Sequence, residues 1–160
     1  MSIYEPLYID YLIYFNRDQD YFECHEVLEE LWLERERDSL YKGLLQIAVG
    51  LYHFRNGNLR GGVMMLQSSI DLLESYPSKT LGIELGALVQ EVRDLVKELS
   101  ESDAKSIIYR DLSIGIEDKV LEQEILRRSL ELMPNIPQRR SPTRGRIYEE
   151  KIKAMKQDGS

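Results

Sequence analysis

The chain has 160 residues, a single cysteine and a net charge of −7. This length fits one domain that is large enough to bury its own core. A lone cysteine excludes an intrachain disulfide and a multi-cysteine zinc module, and it favours a reducing compartment. The longest apolar run, residues 44–54, is far shorter than the roughly 20 residues that a membrane span needs, and the first residues lack the basic segment of a signal peptide. We therefore expect a cytoplasmic protein with no membrane partner.

Charge is distributed unevenly along the chain. Residues 138–160 contain seven Lys/Arg and three Asp/Glu, a local charge of +4, which leaves −11 on the rest. An acidic body argues against a nucleic-acid groove, because phosphate binding depends on clustered Lys and Arg. Only the basic tail is expected to contact nucleic acid, and only weakly.

Apolar residues recur with helical spacing through most of the chain, which predicts an all-α fold. Asp20 precedes the second helix as its N-cap, with Glu23 in the first turn. The third helix is apolar on nearly every side, and this pattern is typical of a central element. The predicted helices cover residues 5–15, 21–36, 39–56, 59–74, 85–99 and 117–132.

Glycines and prolines predict how these helices are arranged. Gly43 and Gly50 weaken the third helix unless a neighbour approaches its backbone closely. Gly57 ends that helix and Asn58 caps the next, so the two helices should be antiparallel. The result expected is a single up-and-down bundle of five to six helices.

The last third of the chain gives a weaker signal. Residues 106–116 fit either a short extended segment or a helical turn. Prolines after residue 133 end the bundle, so we place the domain at residues 1–137 and a basic, mobile tail at residues 138–160, with a weak helix over 146–156. The sixth helix is predicted to pack inward through Val120, Leu121, Ile125, Leu126 and Leu130.

The run Phe22–Trp32 is the best candidate for a functional site. His25, Glu26 and Glu29 share one stripe of the second helix, inside an apolar frame that includes Leu33. Charged groups in such a frame are costly unless they are paired or bind something. We expect at least one of the three to hydrogen bond to the third helix or the start of the fourth. The predicted ligand-binding or polar cluster consists of His25, Glu26, Glu29, Trp32, Gln46, His53 and Asn58.

Two interpretations of this cluster stay open. Imidazoles and carboxylates between helices form the ligand set of divalent-metal sites, which makes His25, Glu26, Glu29 and His53 candidate metal ligands. Neither a zinc-protease His-Glu-x-x-His motif nor a di-iron Glu-x-x-His motif is present. Alternatively, the same groups form a buried polar network that fixes the helix register.

The third and fourth helices match the small-residue spacing of one tetratricopeptide unit, from Gly50 through Gly62 to Ser69. Stacked repeats need about three copies to bury their faces, and this chain has one. An ordinary antiparallel hairpin is therefore favoured, although a protein-binding role stays open.

Three blocks of sequence occur in order: Phe22 to Trp32, Gly43 to His53, and Gly57 to Gly62. Together they resemble the family catalogued as domain of unknown function 309, over about residues 11–77. The resemblance implies a small soluble prokaryotic helical bundle whose signature is His-Glu-x-x-Glu-x-x-Trp, and it implies no activity. Its motif positions correspond here to His25, Glu26, Glu29, Trp32, Gln46, His53, Asn58 and Gly62.

The sequence contains no complete nucleophile, acid–base or cofactor motif. We therefore predict a non-catalytic binding or scaffold protein, with a protein partner or a second copy of the chain as its ligand. The alternative is a ligand-binding or metal-dependent enzyme that uses His25, Glu26, Glu29 and His53. An open cavity at the cluster would favour this alternative.

Overall fold

The computed structural model describes residues 3–35, 38–101 and 108–134. The described part of the chain contains six α-helices and one two-stranded sheet. In chain order the elements are α1 (Pro6–Ile13), a π-helical turn (Tyr14–Asp18), α2 (Tyr21–Glu34), α3 (Ser39–Arg55), α4 (Leu59–Leu73), β1 (Lys79–Thr80), β2 (Ile83–Glu84), α5 (Leu85–Glu101) and α6 (Lys119–Glu131). The predicted all-α bundle is confirmed. No helix in the described residues is long and apolar enough to cross a membrane.

The start of α2 follows the predicted capping. The Asp20 carboxylate accepts a hydrogen bond from the Glu23 backbone N–H at 3.1 Å, which satisfies a donor that the first helical turn leaves open. The preceding π-helical turn ends at Asp18, and the next residue, Gln19, has a left-handed φ of 47°. This break between α1 and α2 fixes the face that α2 turns toward α3.

The third helix is the central element, as predicted. It packs against α2 and against α4, while α1 lies on α2 and α6, and α5 lies on α4. Its core positions are fully buried: Leu44, Ile47, Ala48 and Leu51. A Cβ on Gly50 would lie 2.7 Å from Leu66 Cγ and 3.2 Å from the Gly62 carbonyl oxygen, so α3 and α4 cross at a distance that only small residues permit.

The two-stranded sheet was not predicted from the sequence. β1 and β2 pair antiparallel, with Thr80 opposite Ile83, and the two turn residues Leu81 and Gly82 have positive φ angles of 53° and 74°. The usual sequence signal for such a turn is Asn-Gly or Asp-Gly. Leu81 replaces the Asn or Asp here, which explains why the pattern did not reveal the turn.

The segment 106–116 was ambiguous from the sequence. Its described part and the residues that follow it as far as α6, residues 108–118, are extended rather than helical. Ile116 forms a β-bridge with Ile83, and the Glu84 N–H donates to the Gly115 carbonyl at 2.9 Å. Asn16 fixes the same segment from the other side, since its amide donates to the Ile114 carbonyl and accepts from the Ile114 N–H, both at 2.8 Å. Backbone groups that lack a regular partner are thereby satisfied.

The predicted packing of α6 is wrong for three of its five residues. Leu121 is buried and Ile125 is half-buried, but Val120, Leu126 and Leu130 are exposed, Leu130 by 90%. α6 packs mainly on α1, and one neighbouring helix covers only one stripe of its surface. The predicted boundary at residue 137 and the tail 138–160 lie outside the described residues.

Candidate functional site

The candidate site is formed where the first turns of α2 meet the C-terminal half of α3. Asp20 sets the start of α2 so that Tyr21, Phe22 and His25 lie on the face toward α3. The Tyr21 hydroxyl accepts from the Leu112 N–H at 3.2 Å, which fixes this end of α2 against the extended segment. The site is therefore supported by a hydrogen bond from a distant part of the chain.

The third helix contributes Val49, Tyr52 and His53, which repeat at the i, i+3, i+4 spacing of a single helix face. Together with the three α2 residues they line a solvent-open cleft of about 150 Å³. The described structure thus brings His25 and His53 to one cavity.

Four rings form a continuous wall of this cleft. The centroids of Phe22 and Tyr52 lie 5.5 Å apart, and Phe22 and Tyr52 each contact one imidazole, at 6.3 Å for His25 and 6.1 Å for His53. Tilted ring pairs at these separations are favourable beyond the area they bury. The two helices are therefore joined at the site by aromatic packing.

The polar contacts of His25 are made within α2. Its Nε2 lies 3.3 Å from Glu29 Oε2 and its Nδ1 lies 3.7 Å from Glu26 Oε1. The Glu26 side chain is only 3% exposed, and the His25 imidazole is the nearest ring nitrogen to its carboxylate. Two carboxylates therefore lie beside one ring at the edge of the cleft.

His53 has a different environment. Burial lowers the pKa of His53, because the charged imidazolium loses hydration. Its Nδ1 lies 3.4 Å from the Asn58 amide nitrogen. The Asn58 Oδ1 accepts from the Gly61 N–H at 3.0 Å and so caps α4.

The predicted hydrogen bond between the two parts of the cluster is not found among the described residues. His25 lies beside Glu26 and Glu29, and His53 lies beside Asn58. The rings of Phe22 and Tyr52 stand between the two groups along the wall of the cleft.

The remaining predicted residues lie away from the cleft lining. Gln46 is 9% exposed and its Oε1 has no hydrogen-bond partner in the described structure. Trp32 lies beneath the Lys42 ammonium, 5.8 Å from the ring centroid. Leu33 is half exposed, so it does not frame the cluster.

The described residues contain no preformed set of metal ligands. Within residues 3–35, 38–101 and 108–134, no group of three His, Cys, Asp or Glu side chains is arranged to hold a metal ion. The assignment of His25, Glu26, Glu29 and His53 as metal ligands stays a prediction.

Three cleft residues were missed by the sequence analysis, namely Tyr21, Val49 and Tyr52. A usable signal was present. Val49 and Tyr52 precede His53 by four and one positions on α3, and Tyr21 precedes His25 by four on α2, so both sets share a face with a predicted histidine.

Comparison with known proteins assigns the chain to a family. The profile described as "Domain of unknown function (DUF309)" matches residues 8–65, which contain both helices of the cleft. The "Uncharacterized protein YpuF" of Bacillus subtilis (strain 168) is 35% identical over 126 residues, which cover 76% of this chain and 70% of that protein. The chain therefore belongs to the DUF309 family. An uncharacterized protein of Aquifex aeolicus (strain VF5) is 30% identical over 83 residues, 50% of this chain and 24% of that protein. No solved structure matches the chain.

Proposed function

We propose that this family member is a non-catalytic binding protein whose α2–α3 cleft takes one ring-sized apolar side chain of a protein partner. The observation that carries the proposal is the small volume, about 150 Å³, of the cleft lined by Tyr21, Phe22, His25, Val49, Tyr52 and His53. Buried aromatic anchors in small pockets commonly dominate the energetics of protein interfaces. We keep the predicted cytoplasmic location, in line with the free thiol of Cys24.

The size of the cleft supports a side chain as its occupant. Pockets for cofactors and drug-sized ligands have volumes of roughly 300–1,000 Å³. The cleft has about 150 Å³. A cavity of roughly that volume accommodates a benzene ring. One aromatic or branched aliphatic group fits, and a nucleotide does not.

The α3–α4 hairpin holds the α3 side of the cleft in place. Its helices cross at Gly50 and Gly62, with Leu66 packed over Gly50, at the spacing of one tetratricopeptide unit. Val49, Tyr52 and His53 lie on the same central helix that forms this crossing.

Nucleophilic chemistry by the cysteine is disfavoured. Cys24 is fully buried, and burial raises the pKa of its thiol, which keeps it in the unreactive protonated form. Its Sγ donates to the Tyr11 carbonyl at 3.5 Å, on the core side of α2.

The test uses small amides as probes. N-acetyl-phenylalanine amide and N-acetyl-leucine amide should shift the NMR signals of His25 and His53, and Val49→Phe should abolish the effect by filling the cleft. Val120→Phe is the matched control, because Val120 lies on α6 and is exposed. Shifts that are absent in the wild type, or that survive Val49→Phe, would refute the proposal.

A second candidate is the enzyme alternative, which the solvent-open cavity at the cluster favours by the criterion stated from the sequence. The His25 imidazole lines this cavity with the Glu26 and Glu29 carboxylates beside it, and imidazole and carboxylate groups are the ones used in general acid–base work. If a divalent metal completes such a site, Zn²⁺, Mn²⁺ or Fe²⁺ should raise the melting temperature of metal-free protein, and His25→Ala should remove that response. Lack of any shift with all three ions would exclude the metal-dependent version.

A further inference from the structure

One face of α6 is both apolar and exposed. Leu126 and Leu130 lie four residues apart on this face and are 62% and 90% exposed, and Met133, just after the helix, is 80% exposed. The opposite side of α6 contains the buried Leu121, and α6 packs mainly on α1. Large apolar side chains that cluster on one exposed face indicate an interaction surface.

The sequence beyond residue 134 contains a segment with a matching pattern. Tyr148, Ile152 and Met155 recur at the i, i+4, i+7 spacing of one helix face, within the weak helix predicted over residues 146–156. An isolated helix shorter than about 12–15 residues is marginal in water. A segment of this length therefore needs an apolar surface to pack on.

We propose that residues 146–156 fold back and pack antiparallel on the exposed face of α6 in the same chain. The eleven residues 135–145 link the two elements and span about 36–40 Å when extended. The way back along α6 from Met133 to Leu126 is only about 10 Å. The linker is therefore long enough, and helices that follow each other closely in sequence usually pack side by side.

The covalent link favours this occupant over a second copy of the chain. A short flexible linker holds the two surfaces at an effective concentration on the order of millimolar. Two apolar faces too small to hold separate molecules together can therefore associate within one molecule. Since α6 already packs on α1, the segment would cover the bundle without being required for its folding.

Charges favour the antiparallel direction. The first half of α6 contains Glu122 and Glu124, and Arg127 follows in the second half. An antiparallel segment places Lys153 beside the two carboxylates and Glu149 near the guanidinium, whereas a parallel segment brings like charges together. Exposed ion pairs contribute little each, so they select the direction while the apolar contacts provide most of the stability.

Hydrogen exchange of the full chain tests the contact. Leu130→Gln removes one apolar side chain from the face and leaves the core intact, because Leu130 is 90% exposed. Burial of one leucine is worth at least about tenfold in an equilibrium. Exchange of the backbone amides of residues 146–156 should therefore accelerate by about tenfold or more. Met64→Gln is the matched control, since Met64 is 58% exposed on α4.

A nitroxide label tests the direction and the source of the segment. It is attached through Gln123→Cys, at an exposed position of α6, and the native thiol of Cys24 is fully buried and does not compete for the label. The label should broaden the NMR signals of residues 152–156 more than those of residues 146–148. A mixture of nitroxide-labelled protein with ¹⁵N-labelled protein that has no nitroxide should show no such broadening.

Each alternative result overturns the proposal. Unprotected amides over residues 146–156 in the wild type, or equal acceleration in Leu130→Gln and Met64→Gln, would show that the segment does not pack on this face. Broadening in the mixed sample would assign the α6 face to a second copy of the chain. Absent broadening, or broadening strongest at residues 146–148, would contradict the antiparallel contact.

Discussion

Replacing Gly50 by alanine tests the close crossing of α4 with α3, the helix that forms one side of the cleft. The new Cβ would lie 2.7 Å from Leu66 Cγ and 2.8 Å from Leu66 Cδ2, where ordinary carbon contacts are about 3.5–4.0 Å. Leu66 is fully buried, so it has no solvent to move into. The substitution must therefore push α3 and α4 apart or force Leu66 off its rotamer.

Two opposing terms set the size of the effect. Alanine gains about 1 kcal/mol of helix propensity over glycine, whereas overpacking a core costs about 1–3 kcal/mol. Because both contacts with Leu66 would be shorter than 3.0 Å, the overpacking cost should lie in the upper part of that range, about 2–3 kcal/mol, so we expect Gly50→Ala to lower the free energy of unfolding by about 1–2 kcal/mol. In a Leu66→Ala background, where space is free, the same substitution should instead raise it by up to about 1 kcal/mol.

Urea unfolding followed by circular dichroism measures all four proteins of this double-mutant cycle. The expected coupling between Gly50 and Leu66 is about 2 kcal/mol. A Gly50→Ala protein as stable as the wild type, or an equal loss with and without Leu66, would show that the close crossing does not limit stability.

Three further outcomes are expected. Asn16→Ala should lower the free energy of unfolding by about 1–3 kcal/mol, because it leaves the N–H and carbonyl of Ile114 unpaired. Hydrogen exchange of the Ile114 amide should accelerate, and an unchanged exchange rate would contradict this prediction. Burial beside carboxylates such as Glu23 raises the pKa of Tyr14 from 10.0 to about 12. Because the folded state favours the neutral phenol, the contribution of Tyr14 to the free energy of unfolding is complete below pH 10 and is lost as the pH rises through about 12. Urea unfolding measured at several pH values should show this loss, and the loss should be smaller in Tyr14→Phe. Deleting residues 138–160 should preserve helical content and cooperative melting. Loss of the cooperative melting transition would show that the domain extends beyond residue 137.

The sequence predicted the helices well because each one buries a continuous apolar stripe. Asp20 and Asn58 were recognised as N-caps, and both make the expected hydrogen bonds to a backbone N–H three residues on. Gly50 was linked to a close helix approach, and Leu66 and Gly62 supply it. These features are local, or they depend on neighbouring helices.

The rest depends on contacts between distant residues, which periodicity does not encode. Nothing local marks Ile116 as the partner of Ile83. The exposure of Leu130 follows from how few elements surround α6. At the site, whether His25 would meet His53 through polar groups or through rings depended on the packing of Phe22 on Tyr52.

The extended segment 108–118 has a consequence for the kinetics of folding. Its hydrogen bonds to Asn16 and Tyr21 span 98 and 91 residues of chain, whereas α3 and α4 are adjacent in sequence. Closing long loops is entropically slow, so local hairpins tend to form first. Substitution of Asn16 should therefore mainly accelerate unfolding, while substitution of Gly50 should slow folding. The aromatic cleft, which Tyr21 anchors to this segment, would then acquire its final shape only in the last step of folding.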